Sequence, residues 1–226
     1  MVSKERRIGV YGGTFDPIHS AHIKVARAAL DQFGLDELLV VPGIRPPHKQ
    51  AGGVLDSYHR YAMAVLATLD APRIVVSTME INEPCMPYTF ETIRRLRSSI
   101  GSNARLFFIM GADSYLDFGD WKRPDLILAE ANLIVVIRGG VDGVKPVNTA
   151  CLPGEIRLID LRDKGARVDF SSDLRSGTVF LTDYGAGELS SSLVRKRAAA
   201  GEAIDGMVSP AVMTYIAKYR LYQREV

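Results

Sequence analysis

A chain of 226 residues, 47% hydrophobic and 24% charged, has the composition of a folded protein with a sizeable core, which excludes a disordered or low-complexity polypeptide. Its 28 basic and 26 acidic side chains leave a net charge of +2, so no global field draws it to nucleic acid or to a membrane surface. The longest apolar run, Leu133–Ile137, is far short of the ~20 residues of a membrane span, and the charged N-terminus leads into a glycine-bearing strand rather than a signal-peptide core.

The elements follow in chain order. Arg7–Tyr11 reads as a short buried strand that runs into glycines. Ile23, Ala26, Leu30 and Phe33 recur at helical spacing over Ala21–Phe33, and Gly34 stops the helix. Leu38–Val41 is the next strand, ended by Pro42 and Gly43; Ser57–Leu69 is helical in pattern and Arg73–Val76 is a third strand. Thr89–Ile100 predicts a helix, Arg105–Met110 a strand, Pro124–Ala131 a short helix and 133–137 a strand. Residues 139–176, with scattered Gly, Pro and charge, read as an irregular excursion. A last strand, Thr178–Leu181, precedes helices over Ser191–Ala200 and Pro210–Tyr219.

Apolar strands alternating with helices predict a doubly wound, Rossmann-like α/β fold: a parallel sheet covered on both faces, with ligands at the carboxyl ends of the strands. The whole of 1–226 reads as a single domain with a helical C-terminal part from about 190 to 226. Cys85 and Cys151 belong to no metal-ligand or redox spacing and read as reduced thiols of a cytoplasmic protein. The sequence is compatible with a homo-oligomer as well as with a monomer.

The segments that follow strand ends are 12–22, 42–49, 80–89, 111–123 and 138–140, and the first carries the strongest signal. Gly12 and Gly13 let backbone approach a phosphate without a Cβ between them. The helix that starts near Ser20 offers free N–H groups and a positive dipole end to an anion. His19 and His22, three residues apart, face the same site. Neither G-x-x-x-x-G-K-[ST] nor G-x-G-x-x-G is present, so phosphate is held in another way.

The run Gly12-Gly13-Thr14-Phe15-Asp16-Pro17-Ile18-His19, followed by His22, resembles the signature of the nucleotidyltransferase superfamily with an H-x-G-H motif. Within it the chain resembles the bacterial nicotinate-nucleotide adenylyltransferases from about Arg7 onward. Pro46-Pro47-His48-Lys49, Tyr88-Thr89, Gly111-Ala112-Asp113, Trp121, Arg138 and Leu189–Arg195 extend the match. The resemblance implies adenylyl transfer from ATP to nicotinate mononucleotide, with His19 and His22 catalytic. It implies ATP contacts at Gly12, Gly13, Thr14, Phe15, Gly111, Asp113, Ser191, Ser192 and Arg195, besides the two histidines. It places the acceptor nucleotide at Thr14, Lys49, Tyr88, Thr89, Asp113, Trp121, Lys122 and Arg138. Mg²⁺ is then bound through the phosphates, with no dedicated protein metal site. The partners implied are small molecules, with neither nucleic acid nor membrane among them.

Physical chemistry supports that division. A phosphate monoester is largely dianionic at neutral pH, its second pKa being ~6, and needs no general base to attack the α-phosphorus. What remains is positioning and charge stabilisation. Trp121, in a polar loop, suits stacking on a flat pyridine ring, and Arg138 suits bidentate binding of a phosphate. Ser190 or Ser191 also reads as a helix N-cap, and Asp113 as a cap of the helix it opens.

The chain departs from the pattern at Ala21, where the family usually has glycine; alanine in the first helical turn is expected to be tolerated. Gly139 stands where a proline commonly follows the arginine, and 141–176 has little recognisable pattern. The rival readings are an adenylyltransferase preferring nicotinamide mononucleotide or phosphopantetheine, and a non-catalytic nucleotide-binding module.

Overall fold

The computed structural model describes residues 5–44, 54–83, 85–137, 156–162, 167–168, 170, 176–185, 187 and 189–223. Seven parallel strands form one sheet: β1 (Arg6–Gly13), β2 (Glu37–Pro42), β3 (Ile74–Val76), β4 (Ala104–Gly111), β5 (Ala131–Ile137), β6 (Leu158–Asp160) and β7 (Val179–Asp183). Their spatial order is β3-β2-β1-β4-β5-β7-β6. Every predicted strand is present. The edge strand β6 lies inside the stretch read as irregular: three residues, exposed at Leu158 and Asp160, carry no apolar run to announce them.

Among the described residues seven α-helices cover the sheet: α1 (Ser20–Gln32), α2 (Ser57–Ala67), α3 (Thr89–Ile100), α4 (Ala112–Leu116), α5 (Pro124–Glu130), α6 (Ser191–Ala199) and α7 (Pro210–Lys218). Strand alternation divides the core into two layers. On one side Tyr11, Val40, Phe107, Ile109, Ile134 and Phe180 pack against α1, α2, α6 and α7. On the other, Val10, Val41, Phe108, Met110, Val135 and Leu181 pack against α3, α4 and α5. Burial on both faces makes β5 apolar at nearly every position: Ala131–Ile137 is buried throughout, and its one polar side chain, Asn132, accepts the Thr178 N–H at 3.1 Å. No described helix is long and apolar enough to cross a membrane.

The direction in which the chain winds across the sheet reverses at the parallel pair β1 and β4. From β1 the chain winds outward to β2 and β3; it then returns to β4 on the other side of β1. At that switch point the connections leaving the carboxyl ends of β1 and β4 diverge, and a crevice opens between them.

Candidate active site

Two cavities occupy that crevice, back to back. The first, of ≈ 220 Å³, is lined by Gly12 and Gly13 at the end of β1, by Thr14 just after it, by Thr89 at the start of α3, and by Phe108, Met110 and Trp121. The second, of ≈ 210 Å³, is lined by Tyr11, Phe15, His22, Asp113 and Val136. Gly12, Gly13, Gly111 and Ser114 line both, so the wall between them is largely glycine backbone.

The turn after β1 is built tightly. Phe15 has φ 48°, in the left-handed region that a bulky side chain seldom enters, and Asp16–Pro17 is a cis peptide. The buried Phe15 ring meets Tyr11 edge-on, with centroids 5.3 Å apart, and His22 at 5.1 Å. The ring also lies over Gly13, where an added Cβ would come within 2.9 Å of it, so no larger residue fits there while Phe15 stays put. Gly13 is thus fixed by the inner packing of the turn as well as by whatever ligand approaches it.

Three carbonyls of this turn are tied from behind by side chains of other elements. Thr14 O accepts Arg60 Nη1 at 2.6 Å, Asp16 O accepts Arg195 Nη1 at 2.6 Å, and Pro17 O accepts Ser191 Oγ at 2.9 Å. Arg60 is wholly buried; it also donates to Gly43 O at 2.6 Å, to Ile44 O and to Leu55 O at 2.9 Å. One guanidinium therefore joins the turn after β1 to the chain leaving β2. The Asp16 carboxylate, 2% exposed, accepts Tyr222 Oη at 2.8 Å and the Leu55 N–H at 3.4 Å. Burial, and the Asp16 carboxylate beside it, push the Tyr222 phenol well above the usual tyrosine range. The carbonyls of Thr14, Asp16 and Pro17 therefore each have a donor within the protein.

The histidines are arranged one over the other. His19 is the N-cap of α1 and 1% exposed, and its ring stacks on that of His22 with centroids 3.7 Å apart. His22 Nδ1 accepts the His19 backbone N–H at 3.2 Å. That bond selects the tautomer with the proton on Nε2, leaving His22 a donor on its far side. His22 lines the second cavity; His19 lies behind it and lines neither cavity.

The other predicted residues distribute as follows. Gly12, Gly13 and Gly111 line both cavities, Phe15 and Asp113 the second, and Thr14, Thr89 and Trp121 the first. Asp113 sits in the first turn of the short α4 rather than ahead of it, and it is exposed. Trp121, half-buried, packs edge-on to Phe108 at 6.2 Å and against Phe118 at 5.5 Å, which holds its ring as one wall of the first cavity. Tyr88 is the exposed N-cap of α3, and Lys122 is exposed; neither is among the described residues lining these two cavities. Ser190 caps α6 by accepting the Leu193 N–H at 3.2 Å, and Arg195 Nη2 donates to Ser192 Oγ at 3.1 Å. Lys49 and Arg138 lie outside the described residues.

Sequence reasoning missed Arg60, Tyr222 and Glu80, and gave Asp16 no role of its own. Arg60 carries a readable sign: it precedes Met63, Ala64 and Ala67 at i+3, i+4 and i+7, on the apolar stripe of its helix. Glu80 lines the first cavity, where burial raises its carboxyl above the usual range. Among the described residues no cluster of three or more His, Cys, Asp or Glu is disposed to hold a metal.

Comparison with known proteins agrees with this geometry. Residues 10–197 match the cytidylyltransferase-like family. The chain is similar to the probable nicotinate-nucleotide adenylyltransferase of Chromobacterium violaceum, with 37% identity over 96% of this chain and 99% of that one. It is similar also to the probable nicotinate-nucleotide adenylyltransferase of a Thermoanaerobacter species, with 34% identity over 99% and 98% of the two chains. Its fold resembles that of a Plasmodium falciparum nicotinic acid mononucleotide adenylyltransferase complexed with NaAD, with a TM-score of 0.69 at 20% identity, covering 96% of this chain and 97% of that one.

Proposed function

This chain belongs to the cytidylyltransferase-like family, and we propose that within it the protein transfers the adenylyl group of ATP to nicotinate mononucleotide. The products are nicotinate adenine dinucleotide and pyrophosphate, and the reaction is a step of NAD biosynthesis. The observation that carries the reading is the pair of cavities meeting at one glycine wall. Two nucleotides entering from opposite sides would bring their phosphates together at Gly12 and Gly13.

The second cavity takes ATP. His22 Nε2–H donates to phosphate oxygen as charge builds at the α-phosphorus, and the amides after β1 supply further donors. The start of α1, read from the sequence as offering free N–H groups, adds little: the Ser20 N–H donates to Met207 O at 2.8 Å and the His19 N–H to His22 Nδ1 at 3.2 Å. His19 holds the ring of His22 from beneath. The first cavity takes the acceptor, with the pyridine ring against Trp121 and the nicotinate carboxylate at the start of α3 near Thr89. A phosphate oxygen of the mononucleotide bonds to the α-phosphorus as the bond from that phosphorus to the bridging oxygen of the β-phosphate breaks. Both electrons of the broken bond leave with pyrophosphate, and no proton needs to move. Asp113 is the carboxylate among the described residues lining the ATP cavity; it would help to hold Mg²⁺ brought in with ATP, and the ion would supply positive charge to offset that of the leaving group. Arg195 and Ser191 hold the turn after β1, and Arg195 retains unused donors for the leaving pyrophosphate.

The test is pyrophosphate release from ATP and Mg²⁺ with each acceptor in turn. Turnover with nicotinate mononucleotide at a kcat/KM well above that for nicotinamide mononucleotide and phosphopantetheine is expected. Equal or better turnover with the amide would overturn the acid preference, and ATP binding without any release would overturn the enzyme.

A further inference from the structure

Glu80 has no part in the chemistry above, yet it is the one ionisable side chain among the described residues lining the acceptor cavity. It lies between β3 and α3 and reaches across the cavity wall. Its Oε1 accepts the hydroxyl of Thr92 at 2.7 Å; Thr92 is buried and stands three residues beyond Thr89 on the same helix. Its Oε2 faces the other way, toward Gly43, where an added Cβ would lie 3.4 Å from it. Gly43 is in turn bonded through its N–H to Gly13 O at 3.0 Å. Glu80 therefore spans the middle of the cavity, between the glycine end and the Thr89 end.

Among the described residues no donor reaches Oε2. Arg95 attracts Glu80 only from a distance and is ion-paired with Glu83. A carboxylate oxygen in a partly desolvated wall calls for a donor, and the cavity's remaining lining is apolar, glycine or neutral. The acceptor nucleotide offers three kinds of group. Its phosphate and its nicotinate carboxylate are anions that Glu80 repels, which favours their placement at the two ends. Its ribose hydroxyls are neutral donors in the middle.

We propose that Glu80 Oε2 accepts a hydrogen bond from a ribose hydroxyl of the acceptor nucleotide, making Glu80 a specificity-determining residue for a ribonucleotide acceptor. Thr92 holds the carboxylate in place by occupying the other oxygen. The inference rests on the first cavity being the acceptor site.

The experiment compares wild type and Glu80→Ala on nicotinate mononucleotide and on its 2′-deoxy and 3′-deoxy analogues, by initial rate of pyrophosphate release. A bond from a hydroxyl to a charged acceptor predicts that wild type loses about 10- to 100-fold in kcat/KM on one of the deoxy acceptors. Glu80→Ala should lose a similar factor on the ribonucleotide and discriminate less than about threefold between it and the deoxy analogue, with KM for ATP unchanged. Glu80→Gln, which keeps a neutral acceptor oxygen, should fall between. Should the alanine variant fail to fold, Glu80→Met fills similar space without an acceptor and gives the same comparison. Undiminished discrimination in the variants overturns the role of Glu80 while leaving the acceptor assignment intact. No wild-type turnover of nicotinate mononucleotide itself overturns both.

Discussion

Replacing Arg60 by methionine tests whether the turn after β1 is held by the buried guanidinium. The side chain is wholly buried and donates to the carbonyls of Thr14, Gly43, Ile44 and Leu55. Hydrogen bonds to a charged donor are each worth about 1.5–3 kcal/mol, but four of them do not add, because some of the carbonyls reach water once released. Methionine also recovers apolar contact with Met63 and Ala64. Leaving a buried acceptor without its donor costs about 1–3 kcal/mol, and with some of the four relieved by water a total loss of about 3–5 kcal/mol is expected here. Against a total stability of about 5–15 kcal/mol the variant should still fold. At about 2–4 °C per kcal/mol for a chain of this size, its Tm should fall by roughly 10 °C. Equilibrium urea unfolding at neutral pH measures the free energy and calorimetry the Tm; Arg60→Lys, with three donors on a point charge, should recover part of the loss. An Arg60→Met variant with stability within about 1 kcal/mol of wild type would refute the reasoning, since the four carbonyls would then have other donors ready.

Three further outcomes follow from the geometry. His22→Ala should lower kcat by about 10²–10³-fold with little change in Tm, because the ring is a donor at the cavity surface and not core; near-normal turnover in a pyrophosphate assay would make the histidine pair structural. Ala21→Gly should cost about 1 kcal/mol of stability and leave KM for ATP unchanged, because Ala21 is a buried residue of the first turn of α1 and lines neither cavity; tighter ATP binding in the glycine variant would contradict this. Burial raises the Glu80 carboxyl, so its contribution to stability is fully present below the unfolded pKa and is lost as pH rises through the folded one. Glu80→Gln should therefore unfold at a higher temperature than wild type at neutral pH, with the gap closing below about pH 4.3; a gap that does not depend on pH would rule out the desolvation account.

The parts of this protein legible in its sequence are those in which a pattern repeats along the chain. Strands such as Leu133–Ile137 declare themselves because a sheet covered on both faces needs apolar residues at every step, and α1 because burial recurs at Val25, Ala26, Ala29 and Leu30. Strand β6 has no such repeat and is invisible in the sequence. The order of strands, and with it the back-to-back cavities, is not a local property, but the position of Gly12-Gly13 at the end of the first strand is enough to place the site. Arg60 recedes into the background because helical charges are usually solvated; only its position on an apolar stripe speaks for burial. Tyr222 and Arg195 meet Asp16 across 206 and 179 residues, a distance at which spacing carries no information.

Those long-range bonds change how the serine and arginine of α6 are understood. The family resemblance makes Ser191 and Arg195 direct phosphate ligands, and in the fold their bonds go to the carbonyls of Pro17 and Asp16. The two roles are physically linked. An amide group that donates to phosphate has a carbonyl next to it in the chain, and that carbonyl repels the same phosphate unless a donor draws it away. Arg60, Arg195 and Ser191 do this for Thr14, Asp16 and Pro17 in turn, from three directions. A nucleophile that is already a dianion asks the protein for no base, so the demand on the site is a set of donors already aimed before ATP arrives. In the proposed reaction the His22 tautomer fixed by the His19 amide would meet that demand from one side, and the tied turn from the other.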